Sequence, residues 1–311
     1  MRHLRHDRPR DIGGARLNCT REVPMETLRD VLNHAQRNGV AVGHFNVSEL
    51  VAMKAIVGAA HDLKLPVMIG VSEGEREFFG VKQVAALVKI FREESGFPIF
   101  LNADHTHSLE KAEQAARAGF DEIIFDASSV PLEKNIADTK RAVEAIKSIN
   151  PNCMVEGEIG YIGSSSDVID KVPEGAGIMS TPEEARQYVS ATKVDVLAPA
   201  VGNMHGMLAS MVKGDAQKHL DIPRIAAIRE AAGVFMTLHG GSGTNDEDFK
   251  KAIKAGMTIV HVNTEIRLAW RRGMEKALAG ADSVVPYKLL GEVVGAIRQV
   301  VDARLRLFSS K

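Results

Sequence analysis

Three polar residues that can bind a metal or move a proton follow one short apolar run of the chain. The run Ile99–Leu101 leads into Asp104, His105 and His107. From Ser108 onward the residues have the spacing of an amphipathic helix, and Ser108 is placed to cap its first turn. Catalytic groups collect at such strand-to-helix junctions in parallel α/β folds. We therefore interpret this junction as the centre of a functional site.

The same unit, an apolar run followed by a polar edge and an amphipathic helix, recurs eight times between residues 23 and 308. Eight such units over about 250 residues predict a closed (β/α)8 TIM barrel with extra N- and C-terminal helices. An open doubly wound sheet is the alternative, but the first strand edge, Gly43–Ser48, lacks the glycine fingerprint of a dinucleotide site. The predicted strands are Val40–Val47, Leu65–Ser72, Phe97–Asp104, Glu122–Asp126, Cys153–Glu158, Val194–Ala200, Val234–His239 and Thr258–Asn263.

The two ends of the chain differ in character. Residues 1–22 are rich in arginine and have no hydrophobic period, so we predict a mobile arm, and residues 23–311 are expected to form one catalytic domain. A transit peptide is the other interpretation of the arm, but Asp7, Pro9 and Asp11 argue against it. The final segment, Tyr287–Leu307, predicts a long amphipathic helix that packs on the barrel or on another subunit.

The composition narrows the classes of function. The chain has a net charge of -1, so nothing in its charge balance favours nucleic acid or an anionic membrane over a small-molecule partner. Its two cysteines, Cys19 and Cys153, are too few for a disulfide framework and indicate a reducing compartment, so we expect a cytoplasmic protein. No apolar run reaches the roughly 18 residues that a membrane span requires.

If the barrel closes, residues that lie far apart in sequence meet at the carboxyl ends of the strands. His105, His205 and His239 would then supply three protein ligands of a catalytic zinc ion, with a fourth position open. Glu158 and Asp126 could add oxygen ligands. By position alone, three ordinary hydrogen-bonded histidines remain the other interpretation.

Two glycine-rich loops, each beside a histidine, favour a phosphate ligand. Gly202–Gly206 contains His205, and His239–Gly243 begins with His239. Glycines let the backbone approach a ligand, and the second loop precedes a predicted helix whose free N–H groups would favour an anion. The capping box Thr244–Glu247 predicts the start of that helix, as Thr181–Glu184 does for another helix.

At these motifs the chain resembles the class II, zinc-dependent fructose-bisphosphate aldolases, a family that also includes tagatose-bisphosphate aldolases. The similarity covers most of residues 25–308. It is carried by Asp104-His105, Phe125–Ser128, Val155–Gly160, Gly202–Gly206, His239–Gly243, and Thr264-Glu265 with the following Arg-Leu-Ala-Trp helix.

The resemblance implies a lyase that cleaves a phosphorylated ketose, by default fructose 1,6-bisphosphate, into dihydroxyacetone phosphate and an aldehyde. It implies a catalytic Zn2+ on His105, His205 and His239, with Glu158 and Asp126 marking an alternative or second cation position. Asp104 would be the acid/base at the substrate hydroxyl, and the protein would be a homodimer or homotetramer. The implied phosphate-binding residues are Gly206, Gly240, Gly241, Ser242, Asn263 and Thr264, while Asn46 and Ser72 would face the ketose end.

The chemistry agrees with that assignment. Cleaving a carbon–carbon bond beside a ketone leaves an enediolate, and a dication that chelates the adjacent oxygens stabilises its charge. A lysine Schiff base is the other route to such a carbanion. No lysine ends a predicted strand, so the metal route is favoured.

Three positions depart from the family pattern and concern mainly the handling of protons. Ser166, with Asp167 next to it, stands where the family has an acid that serves the enediolate carbon. His261 stands where the family has an asparagine, unless a shifted register places Asn263 there. Ala209 replaces a lysine, with Lys213 the nearest substitute. We therefore expect His261 to take part in proton transfer; the alternatives are that it only packs at the barrel rim and that Asp167, or a carboxylate from a mobile loop, serves the carbon.

Two rival functions remain at this stage. The pair His105-Thr-His107 resembles the H-x-H pair of amidohydrolase barrels, although those place it on the first strand. A non-catalytic barrel that binds metal or phosphate is the other rival, suggested by Ser166. Asp104 argues against it, because binding alone gives no reason for an acid at that position.

Overall fold

A computed structural model describes residues 26–163, 165–172, 177–279 and 283–310. Eight of its strands form a closed parallel barrel, which confirms the predicted TIM barrel, and two short strands form a separate parallel pair. The predicted arm at residues 1–22 lies outside the described residues. The barrel strands are β1 Val42–Asn46, β2 Val67–Val71, β3 Ile99–Thr106, β4 Glu122–Phe125, β5 Met154–Ile159, β7 Val196–Pro199, β9 Phe235–Leu238 and β10 Met257–Val262; the short pair is β6 Val168–Ile169 and β8 Met207–Leu208.

Helices follow the strands and cover the outside of the barrel. The strand order around the barrel is β1-β10-β9-β7-β5-β4-β3-β2, so each strand lies beside its predecessor among the barrel strands and the last strand closes on the first. The helices are α1 Leu28–Asn38, α2 Leu50–Leu63, α3 Glu73–Phe79, α4 Val81–Ser95, α5 Leu109–Ala118, α6 Leu132–Ile149, α7 Pro182–Thr192, α8 Ala209–Lys213, α9 Ile222–Ala232, α10 Asp246–Ala255, α11 Thr264–Ala279 and α12 Pro286–Phe308.

Of the two capping boxes predicted from the sequence, the one at α7 is confirmed and the one at α10 is not. Thr181 caps α7 through the backbone N–H of Glu184, and the Glu184 side chain accepts from the Thr181 N–H in return. At α10 the cap is Asn245, one residue later than predicted. The reason is that the Thr244 backbone is held in a turn and in a parallel bridge to Lys218, so the helix begins only after it.

The interior of the barrel is layered along the strands. An apolar layer fills the N-terminal end of the barrel. Two residues further along the strands, the side chains that point inward are polar and buried: His44, Asn102, Glu156, Thr237 and His261. Two residues further on lie the strand ends that carry the candidate site. Because side chains alternate along a strand, this period of two keeps the three layers on one face. The apolar layer contains Leu28, Val31, Leu32 and Ala35 of α1 with Val42, Met68, Phe100, Met154, Val196, Phe235 and Ile259.

The C-terminal helix packs on the barrel of its own chain. α12 lies against α2 and α11 and buries an apolar stripe at intervals of three and four residues: Val293, Ile297, Val301, Leu305 and Phe308. Its last residue is anchored twice. The Phe308 carbonyl accepts from the Ala41 N–H at 3.0 Å, and its ring meets the Phe249 ring edge-on with 5.3 Å between centroids.

None of the helices in the described ranges combines the length and the apolar character that crossing a membrane requires.

Phe308→Ala should lower the free energy of unfolding by about 3–5 kcal/mol, because it leaves a cavity between α12, Phe249 and the start of β1. Urea unfolding followed by circular dichroism measures the change. Tyr287→Ala on the same helix is the control, since that ring is 77% exposed and should change stability little. Equal effects of the two substitutions would contradict this account of the packing of α12.

Candidate active site

A bulge in β3 brings two consecutive residues to the same site. In a regular strand, Asp104 and His105 would point to opposite faces. The pairing of β3 with β4 shifts register between Ala103 and Thr106, and His105 has a left-handed backbone with φ of 38°. Such a conformation costs about 1–3 kcal/mol in a non-glycine residue and is concentrated at functional sites. As a result, His105 Nε2 lies 3.7 Å from Asp104 Oδ1.

Four side chains from separate strand ends form a buried cluster whose donor atoms fit a metal ion. One possible ligand atom of each of His105, Glu158, His205 and His239 lies within 4.8 Å of the others. Within the described residues, His105 Nε2, Glu158 Oε2, His205 Nε2 and His239 Nδ1 are buried without a hydrogen-bond partner. Buried lone pairs that remain unpaired are costly, and a cation would satisfy all four together. Imidazole nitrogens and a carboxylate oxygen are the ligands of a tetrahedral zinc ion.

Two carboxylates fix the tautomers of these rings. His105 Nδ1 donates to Asp126 Oδ2 at 2.8 Å, so that in the neutral ring Nε2 carries the free lone pair. His239 Nε2 donates to Glu156 Oε1 at 2.6 Å, which leaves Nδ1 facing Glu158. Carboxylates behind metal-ligating histidines have this orienting role. Asp126 therefore lies outside the cluster, because its oxygens are engaged by His105 and by Ser128.

The electrostatic environment distinguishes the three rings. Burial opposes the charge on His105, but Asp104 and Asp126 outweigh it and raise the pKa of His105 to about 9. Burial also opposes charge on His239, yet Glu156 and Glu158 raise its pKa well above the ordinary value. For His205, burial and the neighbouring charged rings lower the pKa well below the ordinary value. The negative charge around His105 and His239 is thus of the sign that a dication would neutralise.

Asp104 lies beside the cluster and is held by an amide. Its Oδ2 accepts from Asn46 Nδ2 at 2.7 Å, and its Oδ1 is 3.7 Å from His261 Nδ1. Burial alone would raise the pKa of Asp104, but the neighbouring histidines, His105 foremost, and the Asn46 hydrogen bond hold that pKa well below its usual range. Asp104 is therefore ionised and can accept a proton.

Asn46 links Asp104 to a second acid at the rim. The same Asn46 amide donates to Glu75 Oε2 at 2.9 Å, and Arg267 binds the other oxygen of Glu75 at 2.9 Å. Ser72 caps α3 and donates its N–H to Glu75 Oε2 at 2.8 Å. Ser72 is therefore placed behind Glu75, while Asn46 lines the site itself.

His44, which the sequence left unassigned, stacks under the site on His261. The two rings are parallel within 5°, with 3.5 Å between centroids, and His261 in turn stacks on His239 at 4.3 Å. Gly70 makes room for this pair, because a Cβ at that position would lie 2.1 Å from His44 Cε1. Burial lowers the pKa of His44 to about 4 and, together with the charges of its neighbours, lowers that of His261 well below its usual value.

Buried acids continue this polar layer across the barrel. His44 Nε2 contacts Asn102 Oδ1 at 3.1 Å, and Asn102 Nδ2 donates to Glu122 Oε2 at 2.8 Å. Burial and the nearby Glu156 carboxylate raise the pKa of Glu122 well above its ordinary value. Sequence reasoning missed Glu156 and Glu122, although charged residues inside otherwise apolar strands were a visible signal.

Most of the residues assigned to phosphate binding line one small cavity beside Asp104 and His205. Gly241 lies behind this cavity and donates its N–H to His261 O at 3.0 Å. Gly240 has φ of 59°, and a Cβ there would lie 2.3 Å from Met204 O, so the two glycine loops meet closely at this glycine. The lining residues with this assignment are Gly206, Gly240, Ser242, Asn263 and Thr264.

The expectation that α10 offers its first N–H groups to a phosphate is wrong. Asn245 already accepts from the N–H groups of Glu247 and Asp248, and three acidic residues occupy that turn. Negative side chains at a helix start repel an anion. The helix start that faces the cavity is instead that of α11, at Thr264.

The segment after β5 covers the cavity. The Thr264 hydroxyl donates to the Ser166 carbonyl at 2.9 Å, and Val168–Ile169 pairs with Met207–Leu208. The cavity volume is about 10 Å³. Asp167, next to Ser166, is 77% exposed and lies 3.9 Å from Arg267. The residues around Ser166 therefore lie over the cavity and leave little free space in it.

Two other residues bear on the expectations from sequence. His107 is 57% exposed and lies outside the cluster, with its Nδ1 3.1 Å from the Asp126 carbonyl, so the H-x-H pair is not a metal-binding pair here. Lys218 is buried beside the glycine loops, where its ammonium contacts four backbone carbonyls. Its position in a loop gave no signal in the sequence.

A TIM barrel that places a metal-binding cluster, an ionised acid and a glycine-lined cavity at the ends of its strands has the arrangement of a metal-dependent enzyme of phosphorylated substrates. Comparison with known proteins agrees. The family model described as "Fructose-bisphosphate aldolase class-II" matches residues 26–311, and the chain belongs to this family. It is accordingly a lyase of the ketose-bisphosphate aldolase type, and the amidohydrolase and non-catalytic alternatives are not favoured.

Relatives and solved structures support the same assignment. The chain is 36% identical to the probable fructose-bisphosphate aldolase of Bacillus subtilis, over 93% of this chain and 99% of that protein. It is 35% identical to the fructose-bisphosphate aldolase of Geobacillus stearothermophilus, over 93% and 98%. The crystal structure of the YdjI aldolase of Escherichia coli K12 superposes with a TM-score of 0.76 at 25% identity, covering 92% of this chain and 98% of that one.

His205→Ala should abolish tight metal binding and activity together, because it removes one of the three imidazoles of the candidate metal cluster. Zinc content of the purified variant, measured by atomic absorption, tests this. His219→Ala is the control, since that ring is 72% exposed and lies outside the cluster. Unchanged zinc content in His205→Ala would remove His205 from the metal site.

Proposed function

We propose that the protein is a zinc-dependent aldolase that interconverts a phosphorylated ketose, fructose 1,6-bisphosphate by default, with dihydroxyacetone phosphate and an aldehyde. The observation that carries this proposal is the set of four unpaired donor atoms on His105, Glu158, His205 and His239 beside the ionised Asp104. Zinc would be held by the three histidines, with Glu158 at an alternative position. Asp126 would act on the metal through His105, which it orients.

The bound metal would supply Lewis-acid stabilisation of the enediolate charge. Asp104 has the position for the proton of the hydroxyl that becomes the aldehyde, since its Oδ1 has no hydrogen-bond partner among the described residues. Asn46 fixes the other oxygen and so orients the free one toward the cavity. This division of labour lets Asp104 exchange protons without serving as a metal ligand.

The substrate phosphate would lie among the N–H groups of the two glycine loops and the start of α11. Gly206, Gly240, Ser242, Asn263 and Thr264 line the cavity, and Gly241 supports it from behind. Backbone N–H groups of glycine loops bind anions, and glycines permit close approach. Binding would require Thr264 to exchange its bond to the Ser166 carbonyl for one to the phosphate.

The enediolate carbon needs a proton partner, and no carboxylate stands at position 166. We propose His261 for this role, because it lines the cavity and its Nδ1 lies 3.7 Å from Asp104. Burial and the neighbouring rings lower its pKa well below the ordinary value, which favours the uncharged ring, and that ring has a lone pair that can accept a proton. Asp167, next to Ser166 and close to Arg267, is the alternative.

We further propose that residues 23–311 act as one catalytic domain in the cytoplasm, as a homodimer or homotetramer. The closed barrel with its α1 and α12 additions supports a single domain, and the buried Cys153 fits a reducing compartment. Sedimentation velocity of the purified protein would test the oligomeric state.

Asp104→Asn should lower turnover by roughly 10²–10⁴, the range for the loss of a general acid/base, while zinc content stays unchanged. The amide keeps the shape and the contact with Asn46 but cannot take the proton. Release of triose phosphate from fructose 1,6-bisphosphate measures the effect, with Asp138→Asn on the outer helix α6 as the control. Near-normal turnover would assign the proton transfer elsewhere.

His261→Asn should retain zinc and bind dihydroxyacetone phosphate but slow the exchange of solvent hydrogen into its reactive carbon. The reason is that asparagine fills a similar space without a basic nitrogen. NMR in D₂O at matched zinc occupancy measures this rate. An unaltered rate would make Asp167 the better candidate and leave His261 a packing role beside His44.

A further inference from the structure

Lys218 is a buried lysine whose ammonium, within the described residues, makes hydrogen bonds to backbone oxygens alone. Its Nζ lies 2.6 Å from Met204 O, 2.6 Å from Gly206 O, 2.9 Å from Gly240 O and 2.6 Å from Ser242 O. Only 4% of the residue is exposed. Four acceptors around one nitrogen favour the ammonium form, because the lone pair of a neutral amine would face a carbonyl oxygen. This geometry opposes the effect of burial, which lowers the pKa of Lys218 to about 7.

The four carbonyls belong to the two loops that carry the candidate site. Met204 and Gly206 flank His205, and Gly240 follows His239. Carbonyls that converge on one point repel each other unless a cation lies between them. The ammonium therefore holds together two loops that come from different strands.

The N–H groups of the same four peptide units point away from Lys218 and donate to other parts of the structure. In a trans peptide the C=O and the following N–H point in opposite directions. The N–H groups paired with the four carbonyls donate to Ile162 O, Asp167 O, His261 O and Glu265 Oε1, at 2.8, 3.1, 3.0 and 3.0 Å respectively. A cation at the carbonyl ends polarises these units and strengthens those bonds. Lys218 thus lies at the centre of contacts to the covering segment, β10 and α11.

The backbone of Lys218 is itself fixed to one of the loops. Its N–H donates to Gly243 O at 2.8 Å, and its carbonyl accepts from Asn245 N at 3.1 Å. The side chain then reaches back across the loop to the other loop. The positive charge between the four carbonyls therefore belongs to a side chain of the protein and is not an ion bound from solution.

We propose that Lys218 is a positioning residue that acts as a built-in monovalent cation, holding the loops of His205 and His239 in register for the metal and the phosphate. This deepens the proposed function, since it concerns the same site. The chain then needs no dissolved monovalent cation at this point. Removal of the ammonium without filling its space should convert the site into one that takes NH4+ or K+ from solution.

The first test uses the wild-type protein loaded with zinc. Isothermal titration with dihydroxyacetone phosphate should give the same affinity in the chlorides of K+, Na+, NH4+ and choline at equal ionic strength. A requirement for K+, Na+ or NH4+ in the wild type would overturn the proposal. If dihydroxyacetone phosphate does not bind in any salt, the proposed substrate is wrong, and the dependence of Tm on the cation then tests Lys218 by itself.

The second test compares variants. Lys218→Ala should weaken binding of dihydroxyacetone phosphate about tenfold or more in choline chloride, because contacts to a charged group are lost, and NH4+ or K+ should restore most of it. Lys218→Met fills the space without charge, so its loss should not be restored. Lys251→Ala, an exposed lysine on α10, is the matched control.

The Tm and zinc content of the variants provide readouts that do not depend on activity. NH4+ should raise the Tm of Lys218→Ala more than choline does, and leave that of Lys218→Met unchanged. Wild-type affinity in both variants would show that the ammonium positions nothing. A loss in Lys218→Ala that no cation restores, in a folded protein with normal zinc, would show that Lys218 serves only to fill space.

Discussion

The pairing of buried imidazoles with buried carboxylates is the interaction on which the rest of the site depends. Asp126 and Glu156 each take one ring N–H, and this leaves the opposite nitrogens of His105 and His239 directed at a common point. Such charges are costly to bury unless every member has a partner. The apolar layer and α1 that close the N-terminal end of the barrel stabilise the fold and offset the free-energy cost of these buried charges. The residues that stabilise the fold and those of the candidate site thus lie at opposite ends of the barrel.

Around these histidines, the backbone conformation depends on a strand bulge, on glycines that permit close contact and on a buried lysine. Asp104 and His105 reach one site only through the bulge in β3, and the two glycine loops meet only where Gly240 lacks a side chain. Lys218 joins those loops from behind. The histidine cluster and the glycine-lined cavity are therefore parts of one connected structure.

Much of the fold could be predicted from the sequence, because eight apolar runs alternate with helical periods and few folds accommodate that order. The convergence of His105, His205 and His239 followed from the barrel alone. The bulge at His105 could not be predicted, since one extra residue in a strand leaves no compositional mark. The role of Lys218 could not be predicted either, because its partners are backbone carbonyls, and every residue has one. The start of α10 was misplaced because long-range pairing of Thr244 overrode the local capping pattern.

The contact between His44 and Gly70 couples the residue types that these two positions can hold. The His44 ring occupies the space in which a Cβ at 70 would lie, so the imidazole in this position and any side chain at 70 exclude each other. A side chain at 70 would therefore fit only with a smaller residue at 44 or with the ring turned away from His261. The stack of His44 on His261 beneath Asp104 thus depends on a residue that has no side chain.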